Sequence, residues 1–167
     1  MSAAYFAGGC FWCITPVFRE QKGVLSVTAG YAGGNEPNPT YEAVKHGLTH
    51  HRETIRVEYD PDRIPYSALL DLYLWSVDPY DGGGQFIDRG ASYTLAIYWT
   101  DQAQYRQAKD ALNALSDADP RPVCIALEPF QSFFPAEEAH QNYDLKHPSE
   151  FARELAISGR NDRKKER

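Results

Sequence analysis

The sequence is poor in cysteine, in cationic side chains and in long apolar runs, and each shortage excludes a class of protein. Its 167 residues include only three cysteines, an odd number and too few for a secreted disulfide scaffold. Asp and Glu (23) outnumber Lys and Arg (17), so the net charge is -6. This balance argues against a nucleic-acid-binding protein, which needs a basic face. No run reaches the roughly 18 consecutive apolar residues of a membrane helix.

The beginning of the chain carries no targeting signal. The first seven residues contain no basic segment and no apolar stretch of signal-peptide length. We therefore expect a soluble cytoplasmic protein that does not associate with membranes. In a reducing compartment cysteines are more often catalytic, metal-binding or simply buried than joined in disulfides. The composition thus directs attention to the roles of Cys10, Cys13 and Cys124.

The pattern along the chain predicts a single α+β domain over residues 1–167, with a tail from about residue 155. Alternating or compact apolar segments predict strands, and helical spacing with capping residues predicts helices. The predicted strands are 5–7, 24–30, 53–59, 93–100 and 123–127, and the predicted helices are 10–20, 41–48, 66–77, 101–115 and one beginning at Pro135. Because the two kinds of element alternate without a regular βαβ order, a two-layer fold with helices on a mixed sheet is expected.

The segment 8–13 (GGCFWC) is the feature most suggestive of chemistry. It lies between a predicted strand and a predicted helix, where free backbone N–H groups and the helix dipole favour a thiolate at Cys10. Cys10 and Cys13 are three residues apart on a helix and therefore share a face. One of them could attack a substrate while the other closes a disulfide. The intervening Phe11 and Trp12 could form an apolar wall for a small apolar group of a substrate.

Other interpretations of the two cysteines stay open at this level. They could form half of a zinc site, with Cys124 or His50 and His51 as further ligands, although this spacing matches no zinc module. They could also be ordinary buried cysteines. A redox dithiol is favoured, but C-x-x-C alone does not distinguish a specific reductase from a general thiol–disulfide oxidoreductase.

Five blocks in order give the chain a more specific resemblance. The sequence resembles the type A peptide methionine sulfoxide reductase family in nearly all of its length except roughly the last dozen residues. The matching blocks are 9–13 (GCFWC), 30–34 with 38–42 (GYAGG and NPTYE), Glu53 with 55–61, 78–79 with 85–93, and 133–137 with 140–141. The resemblance implies a ferredoxin-like core and reduction of the S epimer of methionine sulfoxide, free or in proteins, because each epimer has its own enzyme class.

The resemblance also assigns roles to individual residues. Cys10 is similar to the nucleophile that attacks the sulfoxide sulfur, and Glu53 to the acid that protonates the oxygen. To act near neutral pH the carboxyl should be protonated, so we expect burial to raise the pKa of Glu53. Tyr41 and Tyr93 match tyrosines that hydrogen-bond the sulfoxide oxygen.

The remaining implied roles concern substrate contacts. Asp88 matches a site aspartate that orders the substrate or a nearby donor, and His140 matches a histidine close to the pocket, where a capping or core role is an equal alternative. Phe11 and Trp12 would hold the S-methyl group.

The resemblance further implies a recycling scheme without metal or cofactor. Attack leaves a sulfenic acid on Cys10, which condenses with a neighbouring thiol. Many relatives use a cysteine in a C-terminal tail, but the last residues here contain none, so the chain resembles the subgroup in which Cys13 resolves the intermediate. Thioredoxin or a similar dithiol would reduce the disulfide, and a monomer is expected. Cys124 is expected to be buried and inert.

One departure from the family pattern bears on the acid. His50 and Arg52 lie close to Glu53 in sequence, where the family usually has small residues. A nearby cation would lower the pKa of Glu53 rather than raise it. Phe134 and Thr94 also differ from the common residues, which affects substrate preference rather than the core catalytic groups.

Overall fold

The computed structural model describes residues 1–160. The strands are β1 Ser2–Gly8, β2 Val24–Ala32, β3 Arg52–Tyr59, β4 Gly84–Gln85, β5 Asp88–Arg89, β6 Leu95–Trp99, β7 Ile125–Pro129 and β8 Phe133–Pro135. The helices are α1 Phe11–Arg19, α2 Tyr41–Lys45, α3 Tyr66–Ser76, α4 Gln102–Ala118, α5 Tyr143–Lys146 and α6 Pro148–Ser158. Short 3₁₀ turns occur at Ala91–Tyr93 and Glu138–His140. No helix in this part of the chain combines the length and apolar character that crossing a membrane would need.

Six of the strands form one mixed sheet in the order β7-β6-β1-β3-β2-β8. Strands β6 and β7 pair in parallel, and the other neighbours are antiparallel. Strands β1, β2, β3 and β6 and helices α1 and α3 follow one another along the chain in the order β-α-β-β-α-β. In the sheet, β6 lies beside β1. This is the ferredoxin-like arrangement, so the predicted α+β fold with a mixed sheet is confirmed.

The sheet has two different faces because successive side chains along a strand point to opposite sides. One face forms the main core with α1, α3 and α4 and includes Phe6, Ile55 and Val57. The other face carries a smaller cluster around Tyr5 and Tyr98, packed against the loop after β7. Phe6 pairs with Ile55, and continuing this antiparallel register brings the end of β1 beside Glu53 at the start of β3.

Two helix starts were predicted from capping residues, and both caps are present. The Thr40 side chain accepts a hydrogen bond from the Ala43 amide at 3.2 Å, and Asp101 accepts one from the Gln104 amide at 2.8 Å. Each satisfies an amide that the first helical turn leaves without a partner.

The prediction of a helix beginning at Pro135 is wrong. Pro135 ends β8, which pairs with β2 through Gly30, and only the short turn Glu138–His140 follows. Proline is compatible with this position because β8 is an edge strand, where a missing N–H costs no ladder hydrogen bond. The predicted strand 93–100 is also shorter, because Tyr93 belongs to the 3₁₀ turn before β6.

The predicted tail begins too early. Residues 155–158 continue α6, and Arg160 after it is only 2% exposed. Residues 161–167 lie outside the described residues. The sequence contained helix signals here, since Pro148 is at the first helical position and Gly159 follows the last one with a φ of 78°.

Candidate active site

The two cysteines lie at the beginning of α1, both reduced and both buried. Cys10 occupies the N-cap position, and its carbonyl oxygen accepts a hydrogen bond from the Cys13 amide at 3.1 Å. The preceding Gly9 has a φ of +84°, and a Cβ there would come within 2.7 Å of Gln85. Glycine therefore allows the sharp turn, and the space beside it is filled by the Gln85 side chain.

Glu53 is held directly beneath the dithiol. Its Oε1 accepts a hydrogen bond from the backbone amide of Phe11 at 3.1 Å, and the residue is 2% exposed. Burial raises the pKa of Glu53 to about 8, although the Phe11 amide and the Tyr93 hydroxyl act in the opposite direction. The expected rise is thus confirmed, and the carboxyl is largely protonated at neutral pH.

The neighbours of Glu53 in sequence do not act on it. Arg52 points to the opposite face of the sheet, where it donates to Tyr98 at 3.0 Å and to Glu128 at 2.8 Å. His50 is exposed and contacts Glu36 at 2.6 Å. The concern that these cations would lower the pKa of Glu53 is therefore not borne out, because alternation along β3 separates Arg52 from the carboxyl.

A cavity of about 360 Å³ opens above the dithiol and brings most of the predicted site residues together. Its lining includes seven of them, namely Cys10, Trp12, Cys13, Tyr41, Glu53, Asp88 and Tyr93. Burial raises the pKa values of Tyr41 and Tyr93, so both hydroxyls keep their protons and can donate. Burial also raises the pKa of Asp88, and the charge of Arg160 acts against this rise.

The apolar wall of the cavity is built differently from the expectation. Trp12 lines the cavity and stacks on Tyr143, with ring centroids 3.9 Å apart. Phe11 is 1% exposed and packs below, against Tyr31 and Tyr41, so it does not line the cavity. The reason is that Phe11 follows the N-cap on the face of α1 that covers the sheet.

His140 also lies behind the cavity rather than in its wall. Its ring stacks on Tyr41 at 4.1 Å and on Trp12 at 5.6 Å. Burial lowers its pKa, which favours the neutral ring, and its Nδ1 has no hydrogen-bond partner among residues 1–160. This geometry supports a packing role that holds two cavity side chains in place.

The protonation of the cysteine pair differs from the sequence-based expectation. Contact with the Cys13 thiol, burial and the charges of Glu53 and Asp88 raise the pKa of Cys10 well above its usual range. A hydrogen bond from Cys10 lowers the pKa of Cys13 against the effect of burial, and the charge of Arg160 adds to the lowering. In the reduced pair, contact with the Cys13 thiol and burial thus act against the low-pKa thiolate that the sequence led us to expect at Cys10.

Several cavity residues were not predicted from the sequence. Lys45 from α2, Ile87 from the β4–β5 turn, and Glu154 and Ser158 from α6 also line the cavity. Only the helix signals around Pro148 and Gly159 pointed to α6, and they do not indicate what the helix covers. The C-terminal segment is therefore part of the site.

Cys124 lies outside the cavity and is half-buried, not buried as expected. It precedes β7, where its amide donates to Pro79 at 2.6 Å and its thiol lies 3.6 Å from the Tyr80 carbonyl oxygen. This link to the loop after α3 keeps Cys124 out of the sheet core. Within residues 1–160, no group of three or more His, Cys, Asp or Glu side chains is arranged to hold a metal ion.

The arrangement is suited to reducing a small polar group that carries an apolar substituent. A thiol pair lies beside a protonated carboxyl and two tyrosine hydroxyls, and an indole ring provides an apolar surface. The acid and the hydroxyls could bind and protonate an oxygen atom while a cysteine attacks the atom that bears it.

Comparison with known proteins agrees with this chemistry. Residues 2–167 match the family model described as peptide methionine sulfoxide reductase. Peptide methionine sulfoxide reductase MsrA of Bacillus licheniformis is 44% identical over 159 residues, which are 94% of this chain and 88% of that protein. Methionine sulfoxide reductase A of Corynebacterium diphtheriae has a similar structure, with a TM-score of 0.80 and 30% identity over 87% of this chain and 74% of that one.

Structures of Mxr1 from Saccharomyces cerevisiae are similar as well. The reduced form has a TM-score of 0.82 and 26% identity, covering 89% of this chain and 86% of that one. Mxr1 in complex with Trx2 has a TM-score of 0.59 and 19% identity, covering 85% and 84%, which is a likeness of fold alone. The family match over nearly the whole chain, the close relatives and the dithiol beside a buried acid show that the chain belongs to the peptide methionine sulfoxide reductase family of thiol-dependent oxidoreductases.

Proposed function

We propose that the chain reduces the S epimer of methionine sulfoxide, free or protein-bound, through a sulfenic acid on Cys10 and a Cys10–Cys13 disulfide. The observation that carries this proposal is the buried Glu53, which is hydrogen-bonded to the residue after Cys10 and has a pKa of about 8. A neutral carboxyl at this point provides the proton that the sulfoxide oxygen needs before it can leave sulfur. Thiol–disulfide exchange involves no oxygen that must be protonated before it leaves, so the acid favours sulfoxide reduction over general disulfide exchange.

In the first step Cys10 Sγ forms a bond to the sulfoxide sulfur. Glu53 gives its proton to the oxygen, and the proton lost by Cys10 restores the carboxyl. Tyr41 and Tyr93 donate hydrogen bonds to the same oxygen, while Trp12 contacts the S-methyl group. Collapse of the adduct releases methionine and leaves the oxygen on Cys10 as a sulfenic acid, so the substrate sulfur is reduced and the cysteine sulfur is oxidised.

In the second step the Cys13 thiolate attacks the Cys10 sulfur. A disulfide forms, the S–O bond breaks, and the hydroxyl group leaves as water after taking up one proton. Side chains three residues apart on one helical turn are within reach of disulfide geometry with local distortion. An external dithiol of the thioredoxin type would then reduce the disulfide, and a cytoplasmic location would keep the dithiol reduced.

The test is a single-turnover assay on separated sulfoxide epimers, with methionine release as the readout. We expect wild-type protein to release methionine from the S epimer, Cys10→Ser to release none, and Cys13→Ser to release about one methionine per enzyme because attack precedes resolution. Activity retained by Cys10→Ser would refute the assignment of the nucleophile. Insulin reduction that is independent of Glu53, without sulfoxide reduction, would favour a general thiol–disulfide oxidoreductase instead.

A further inference from the structure

We propose that Arg160 is a positioning residue of the dithiol, whose buried guanidinium stabilises Cys13 as the thiolate that resolves the Cys10 sulfenic acid. The inference rests on the proposed function and assigns a role in it to the C-terminal segment, where the sequence showed no feature of catalytic interest.

The Arg160 side chain is an unusual buried cation. The residue is 2% exposed, and its guanidinium donates to the carbonyl oxygens of Ser76 at 2.9 Å and Gly8 at 3.2 Å. It also lies over the Phe86 ring, 4.7 Å from the centroid. Both hydrogen bonds end on uncharged acceptors, and no carboxylate within residues 1–160 forms an ion pair with it. A buried charge without a contacting counterion favours any anion that forms nearby.

The end of α6 is built to deliver this side chain. Gly159 adopts a left-handed conformation with a φ of 78°, which turns the chain back toward the fold. The Arg160 amide then donates to the Ser158 hydroxyl at 3.1 Å. The guanidinium lies next to the turn before Cys10, since a Cβ on Gly9 would be 3.1 Å from Nη2. Arg160 therefore joins the C-terminal segment to the end of β1 at the dithiol.

Charged and titratable groups from several elements surround Cys13, and the wall of the same cavity also carries Lys45 from α2. Asp88 from β5 and Glu154 from α6 raise its pKa, whereas Arg160 lowers it. Cys10 shares a hydrogen bond with it, and the Cys13 charge in turn raises the pKa of Glu53. The hydrogen bond from Cys10 favours the Cys13 thiolate most strongly, and the charge of Arg160 adds to this effect against two opposing carboxyl groups.

The experiment separates the two steps of one turnover. After rapid mixing with methionine sulfoxide, methionine release reports attack by Cys10. Trapping with dimedone and intact-mass measurement report the conversion of sulfenic acid to disulfide. The comparison uses Arg160→Met and Arg160→Lys over a range of pH, all in a Cys124→Ser background so that only the dithiol contributes. Arg153→Met is the matched control, because Arg153 is an exposed arginine of α6, the helix that precedes Arg160.

We expect Arg160→Met to slow disulfide formation at low pH by about 3-fold for each unit by which the Cys13 pKa rises, since a more basic thiolate is scarcer but more nucleophilic. The deficit should vanish at high pH, where the thiol is ionised in both proteins. Arg160→Lys should restore the wild-type pH dependence at least in part, and Arg153→Met should match wild type.

A deficit of equal size at every pH, or one that lysine does not reduce, would overturn the proposal in favour of a purely structural role. If Arg160→Met does not fold, the ultraviolet absorbance of the Cys13 thiolate in Cys10→Ser/Cys124→Ser provides the test. The proposal requires a midpoint below the roughly 8.5 of a free cysteine, and a midpoint at or above that value overturns it. Absence of methionine release from wild type would refute the proposed function itself, whatever Arg160 does.

Discussion

Glu53 Oε1 accepts a hydrogen bond from the Phe11 amide at 3.1 Å, so the acid is fixed to the residue that follows Cys10. The amide is one of those that the first turn of α1 leaves free, and it would otherwise be available to a thiolate. The hydrogen bond therefore explains two properties together. It holds a buried carboxyl beside the reacting cysteine, and it removes from Cys10 the donor that the sequence suggested would activate it.

Substitution of Glu53 should separate proton donation from packing. Glu53→Gln keeps a side chain of the same shape that can still donate a hydrogen bond, so most methionine release should remain. Glu53→Ala should reduce the single-turnover rate by about 10²–10⁴-fold, the range typical of general acid catalysis. Equal losses in the two variants would show that Glu53 does not act as a donor to oxygen.

The rate of the first step should fall as the pH rises above about 8. Burial raises the pKa of Glu53 to about 8, so the protonated form that donates is depleted beyond that value. The measurement is single-turnover methionine release over a range from roughly pH 6 to pH 10. In Glu53→Gln this fall in rate above about pH 8 should be absent. If the fall persists, a group other than Glu53 causes it.

Glu53 should also weaken the fold at neutral pH. The pKa of Glu53 in the folded protein lies above its value in the unfolded chain. The free energy of unfolding is therefore highest below about pH 4.5, where the carboxyl is protonated in both states, and it falls as the pH rises to about 8. Glu53→Gln should therefore be more stable than wild type at pH 7, by up to about 3 kcal/mol. Chemical denaturation at pH 4.5 and pH 7 checks this, since the two proteins should converge at the lower pH.

The two cavity tyrosines should contribute through their hydroxyl groups. Burial raises the pKa values of Tyr41 and Tyr93, so both remain donors throughout the neutral range. Tyr41→Phe and Tyr93→Phe should each lower kcat/KM by about 10-fold, the effect of one lost hydrogen bond to a developing charge. Tyr66→Phe is the control, because the Tyr66 hydroxyl is buried without a partner among residues 1–160 and lies outside the cavity. A comparable loss in that variant would point to a general packing effect.

Arg52 should affect stability but not the chemistry of its neighbour. It donates to Tyr98 and Glu128 on the face of the sheet opposite Glu53. Arg52→Met should lower the free energy of unfolding by about 1–3 kcal/mol, because the buried Tyr98 hydroxyl loses a partner. The pH dependence of methionine release should not change. A shift in the pH at which the rate falls would mean that Arg52 alters the pKa of Glu53.

The sequence by itself determined the fold class and the chemical groups of the site. Alternation in β3 and capping at Thr40 and Asp101 are local properties, and they predicted elements that the structure contains. The C-x-x-C spacing placed both thiols on one helical turn for the same local reason. Pairing Cys10 with Glu53, Tyr41 and Tyr93 required the family resemblance, because no local pattern relates residues so far apart.

Only the tertiary structure decided how these groups are tuned. The sheet register places Glu53 under the dithiol and turns Arg52 away, although the two are adjacent in sequence. Packing moves Phe11 below the cavity, and the return of α6 brings Arg160 to the turn before Cys10. Protonation depends on burial and on charges that arrive from distant parts of the chain. For that reason composition and spacing identified the cysteines, while the fold determined the burial and the charges that act on each of them.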